Sequence, residues 1–187
     1  RTIGRPGGPQ LGHYDDQRMQ NPEALALGDR GQLWVAEFDA FPKRVSIWNA
    51  ATGAFVKGLY GPPMYGGGGT IDAEDKTRLF YAQYGGLTEW QLDWTKGEAK
   101  LKNICVRRSE MGTPEDIFRW HQQVGERPVH LNGRTYLIPT YSGGLRNNDN
   151  APIYLLGNDG IAWPAAFVGT LRRWGPDGYK GLADVMK

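Results

Sequence analysis

Cysteine is almost missing from this sequence: Cys105 stands alone among 187 residues. That rules out an intrachain disulfide and a cysteine-rich metal site. Set in Leu101-Lys102-Asn103-Ile104-Cys105-Val106, it reads as a small buried apolar residue. Histidine is nearly as scarce, with His13, His121 and His130 far apart, and no Ser/His/Asp arrangement with an elbow turn is visible. Charge of one sign is lacking too. The 22 basic and 20 acidic residues leave a net charge of +2. The doublets Arg107-Arg108 and Arg172-Arg173 are too short for a nucleic-acid footprint and read as solvated strand ends, so no nucleic-acid partner is expected. No apolar run approaches the ~20 residues of a membrane span. The N-terminus, Arg1-Thr2-Ile3-Gly4-Arg5-Pro6, carries neither a signal peptide nor an initiator Met, and reads as a processed start or an internal fragment.

Helical patterning is also rare. Met111 to Gln123 comes nearest, with Thr113 as a cap, Pro114 at the first helical position and Glu115-Asp116 at the positive end. A short helical turn inside a connection is expected there.

What the chain has in quantity is glycine (27), proline (12), tyrosine (9) and tryptophan (7). The glycine has no three-residue period, which excludes collagen, and the aromatics argue against disorder. Many turns with many aromatics suit an all-β fold. Strand patterns recur at Ala24–Leu27, Leu33–Glu37, Val45–Trp48 and Ala54–Leu59, then at Arg78–Gln83, Leu87–Leu92 and Glu98–Val106. A third set follows at Pro128–Leu131, Thr135–Pro139, Ile153–Leu156 and Ala162–Val168. Turn residues divide them: Asp29-Arg30-Gly31, Thr52-Gly53, Lys96-Gly97, Asn132-Gly133 and Asn158-Asp159-Gly160.

Leu33 and Leu79 stand 46 residues apart and Gly53 and Gly97 stand 44 apart. Both spacings fall near the ~40–50 residues of a propeller blade. Units are therefore expected at about 20–60, 61–110 and 125–171, with 172–187 opening a further one. Three blades do not close a ring, which needs at least about four, so an all-β, incomplete β-propeller segment is the predicted fold. Trp34, Val35, Val45, Ile47, Phe80 and Leu137 are predicted to pack between blades, because facing sheets bury both sides.

The first unit resembles the NHL class of propeller blades through Asn21-Pro22-Glu23-Ala24-Leu25-Ala26-Leu27, Gly31-Gln32-Leu33-Trp34-Val35-Ala36-Glu37 and Arg44-Val45-Ser46-Ile47-Trp48. With Tyr65-Gly66-Gly67-Gly68-Gly69 added, roughly residues 20 to 95 are similar to large secreted bacterial proteins with NHL-like propellers. The resemblance implies an extracytoplasmic location, with the remaining blades in a longer chain. Such propellers include enzymes and pure binding scaffolds.

Candidate sites follow from chemistry. The glycine run Tyr65 to Thr70 lacks the Lys-Ser/Thr of a phosphate cradle and reads as a turn into an innermost strand. Asp72, Glu74 and Asp75 read as a solvated hairpin turn, yet their oxygens suit calcium. In the enzyme alternative, a metal-dependent hydrolase or lyase, the resemblance implies ligands around the central channel, and His130, Asp72 and Asp75 are the candidates. Asn147, Asn148, Asp149 and Asn150 form an oxygen-rich loop tip suited to recognition. Tyr84-Gly85-Gly86 and Tyr141-Ser142-Gly143-Gly144 each put an aromatic beside glycines just after a second-strand pattern. The leading expectation is a module without catalytic residues or an obligatory cofactor, binding carbohydrate or protein through loops that carry Tyr84, Tyr141 and Asn147 to Asn150.

Overall fold

The computed structural model describes residues 1–38, 43–61, 68–83, 86–107, 126–138, 151–168, 173–175 and 178–180. Among these, every regular element is a β-strand. The expected helical turn at 111–123 lies outside the described residues.

Strands β2 (Pro22–Leu27), β3 (Gln32–Glu37), β4 (Arg44–Asn49) and β5 (Phe55–Tyr60) form the first antiparallel sheet, each paired with the next. The second contains β6 (Gly69–Ile71), β7 (Arg78–Gln83), β8 (Gly86–Asp93) and β9 (Glu98–Arg107). The third contains β10 (Arg127–Leu131), β11 (Arg134–Ile138), β12 (Ala151–Leu156) and β13 (Ala162–Val168). A last hairpin pairs β14 (Arg173–Gly175) with β15 (Gly178–Lys180). Successive four-stranded meanders, none closed on itself, make this an all-β open propeller segment.

The repeat is visible in turn chemistry as well as in topology. In each four-stranded meander the turn between third and fourth strands ends on a glycine with positive φ: Gly53 at 76°, Gly97 at 64° and Gly160 at 80°. An Asx side chain braces each turn. Asn49 Oδ1 accepts from the Thr52 N–H, Asp93 Oδ1 from Thr95 and Lys96, and Asp159 Oδ1 from Ile161. The third strands of the first two sheets share a further device. The Trp48 indole donates to Ser46 Oγ and the Trp90 indole to Thr88 Oγ1, each at 2.9 Å.

The second and third sheets pack face to face. Phe80, Leu87, Cys105 and Val106 from one meet Leu137, Tyr154 and Ala162 from the other in a single buried cluster. Their first strands run side by side: a Cβ on Gly68, just before β6, would meet the Glu126 carboxylate, just before β10, and Asp72 touches His130 at the far ends. The first sheet meets the second through Tyr60, whose ring stands edge-on to Trp90 with centroids 5.0 Å apart.

Two features of the sheets depart from the sequence expectations. Trp34, expected to pack between blades, is 37% exposed; it lies on the face opposite Val35, across from Ile47. Val35, Ile47, Phe80 and Leu137 are buried as expected, and Val45 is half-buried. The other is an unforeseen strand, β1 (Gly12–His13), which pairs with β9 and adds a fifth strand to the outer edge of the second sheet. Two residues carry no alternation for a sequence pattern to detect.

Candidate polar seam between the second and third sheets

The turn after β6 and the hairpin β10–β11 bring two of the three candidate metal-binding residues together. His130 Nε2 lies 2.8 Å from Asp72 Oδ1 and 3.0 Å from Oδ2. A carboxylate accepts, so the imidazole donates from Nε2. The other ring nitrogen, Nδ1, is 3.2 Å from Thr135 Oγ1, the residue opposite His130 in the β10–β11 ladder.

The contact is one end of a longer chain of polar side chains. Asp72 Oδ1 also accepts from the Glu74 N–H, and Asp72 Oδ2 lies 3.4 Å from an Arg78 guanidinium nitrogen. Arg78 donates from Nε to Glu89 Oε1 at 2.8 Å, and its guanidinium sits 5.0 Å from the centre of the Phe80 ring. Asn103 Nδ2 donates to Glu89 Oε2 at 2.6 Å, and His13 Nδ1 lies 2.8 Å from Asn103 Oδ1. From Thr135 to His13 the links are continuous. They cross the junction from the first strands of the second and third sheets to the outer edge strand β1.

Burial explains the arrangement. Asp72 is fully buried, against the solvated turn expected for it, because the third sheet covers it with His130; Glu89 and Asn103 are nearly buried, in an interface otherwise lined by Phe80, Leu87 and Leu137. Buried polar groups need partners, and here each acceptor has a donor beside it. The outer end is tight. A Cβ on Gly160 would lie 2.4 Å from Asn103 Oδ1, and one on Gly12 would lie 2.6 Å from the Asp159 carbonyl oxygen.

Asp75, the third candidate, does not join. Its Oδ1 accepts from the Thr77 hydroxyl and N–H, which hold its carboxyl below the usual carboxylate range. That is turn chemistry, as the residues around it suggested. Among the described residues, no three His, Cys, Asp or Glu side chains converge as a metal site. Glu126 lies by the other end of the first strands, and burial raises its carboxyl pKa. The recognition candidates Tyr84, Tyr141, Asn147, Asn148, Asp149 and Asn150 lie outside the described residues.

Sequence reasoning missed Arg78, Glu89, Asn103 and His13. The available signal was alternation: Arg78 and Glu89 occupy inward positions beside apolar residues in strand patterns, where a charge needs a partner.

No known family model matches this sequence, and no curated protein matches it. A search of solved structures finds a crystal structure of a protein from Lactobacillus plantarum, at 16% identity and a TM-score of 0.31. The match covers 86% of this chain and 47% of that one, so this chain spans about half the length of that protein.

Proposed function

We propose that this chain is a non-catalytic recognition or scaffolding segment of an NHL-type propeller. In this reading it belongs to a longer extracytoplasmic protein and binds carbohydrate or protein through its rim loops. The observation that carries the reading is the use made of the His130–Asp72 pair. Both imidazole nitrogens have partners inside the protein, and both Asp72 oxygens are occupied by His130, Glu74 and Arg78. A metal role would need one of those lone pairs open to a cation, and here each is directed at a neighbouring protein group. The pair instead joins neighbouring sheets.

Recognition is then the work of loops on a rigid scaffold. Tyr84, Tyr141 and the run Asn147 to Asn150 combine aromatic faces with amide and carboxylate oxygens, the mixture that sugar rings and polar peptide surfaces require. The test is calorimetric binding to a panel of soluble polysaccharides, with and without calcium. Tyr141→Ala and Asp149→Ala are expected to weaken binding and leave the unfolding midpoint in place. Hydrolysis of a glycoside or lactone by the purified chain, lost in His130→Ala, would overturn this reading in favour of a propeller enzyme.

A further inference from the structure

We infer that residues 1–20 form a clasp that couples the first sheet to the second and third, and that Arg44 is its lock. Arg44 begins β4, and its side chain is 1% exposed. A guanidinium has five N–H donors in a fixed fork, and all five are used here. Nε donates to Glu37 Oε1 at 2.8 Å, and one terminal nitrogen donates to Glu37 Oε2 at 3.1 Å. The other three bonds leave the sheet for the N-terminal arm. They reach the Tyr14 hydroxyl at 2.6 Å, the Asp16 carbonyl at 3.2 Å and the Arg18 carbonyl at 2.6 Å. Glu37 cancels the buried charge, which leaves the rest of the fork free to hold backbone.

The arm carries that hold onward to both other sheets. Tyr14 donates its N–H to the Lys102 carbonyl on β9, and Gly12–His13 add to the edge of β9. Gly12 lies against the Asp159 carbonyl in the β12–β13 turn, too closely for a side chain. Within the arm, Arg5 and Arg18 both pair with Asp15, and the Arg5 N–H donates to the Gln17 carbonyl, closing the strap on itself. Tyr60 of the first sheet donates to Asp16 Oδ1 at 3.3 Å and packs edge-on to both Tyr14 and Trp90. The side-chain hydrogen bonds described from the first sheet to other elements all end on residues 1–20. Release of the arm therefore leaves the first sheet held on the second by aromatic contact, and makes the junction a hinge.

Amide hydrogen exchange on the full 187-residue chain tests this. The variant is Arg44→Met combined with Glu37→Gln, so that no buried carboxylate is stranded. Exchange at the arm amides Arg5, Tyr14 and Arg18 is expected to accelerate about tenfold or more, while Phe80 and Leu137 at the second junction keep their protection. Unchanged arm protection overturns the clasp. So does equal loss in all three sheets, which would make Arg44 a general support of the fold. If the double variant does not fold, Tyr14→Phe removes one acceptor only and is expected to speed exchange at Arg18 about threefold. No change there overturns the proposal equally.

Discussion

His130 and Asp72, 58 positions apart in sequence, meet at 2.8 Å where the first strands of two adjacent sheets end side by side. The contact turns a buried carboxylate into a fastener between blades, with Arg78 behind it. Asp72→Ala removes the acceptor of the His130 Nε2–H and one of the two carboxylates beside Arg78, and is expected to destabilise the fold by about 3 kcal/mol. Reversible urea unfolding measures this. A loss under about 0.5 kcal/mol, as for an ordinary surface change, would mean that the seam does not hold the sheets together.

The apolar part of the same junction has its own test. Phe80 and Leu137 are fully buried against each other's sheets. Phe80→Ala is expected to cost about 3–5 kcal/mol, and Leu137→Ala about 2–5 kcal/mol. Trp34→Ala, on a partly exposed side chain, is expected to cost clearly less. Equal losses at Trp34 and Phe80 in the same titration would contradict the assignment of faces.

Gly97 and Gly160 hold equivalent turns with positive φ but have different surroundings. A Cβ on Gly97 meets nothing within 4 Å, whereas one on Gly160 runs into Asn103, itself held by Glu89 and His13. Gly97→Ala is expected to cost about 1 kcal/mol from backbone strain alone. Gly160→Ala adds overpacking and is expected to cost about 3 kcal/mol. Thermal melts of the two variants decide this, and equal shifts would show that the seam yields freely.

Alkaline pH is expected to weaken the fold. Burial raises the pKa values of Cys105, Tyr14 and Tyr60, and pushes Tyr154 up to about 12. The unfolded chain releases these protons first, near about 8.5 for the thiol and about 10 for the phenols. Over that window the folded state binds more protons, so stability falls as pH rises. Stability should decline progressively from about pH 8.5 and more steeply past about 10. Cys105 should also stay inert to a thiol reagent until the unfolding transition. A native thiol that reacts at the rate of an unfolded control would refute its burial.

The sequence by itself determined the fold class and much of its phrasing. Strand alternation and the turn residues at Gly53, Gly97, Gly133 and Gly160 are local signals, because φ above zero and period two are properties of a few neighbouring residues. Burial of Cys105, Ile47 and Phe80 was legible for the same reason. The turn role of Asp75 was equally local. What tertiary structure alone decided was the pairing of buried polar groups. Nothing near Asp72 in sequence foretells His130, and nothing near Arg44 foretells the carbonyls of Asp16 and Arg18. Whether a charged side chain faces water or another sheet depends on where the sheets meet. Inside a low-dielectric junction it must find a donor or acceptor, and the partner comes from whichever distant strand the fold puts beside it.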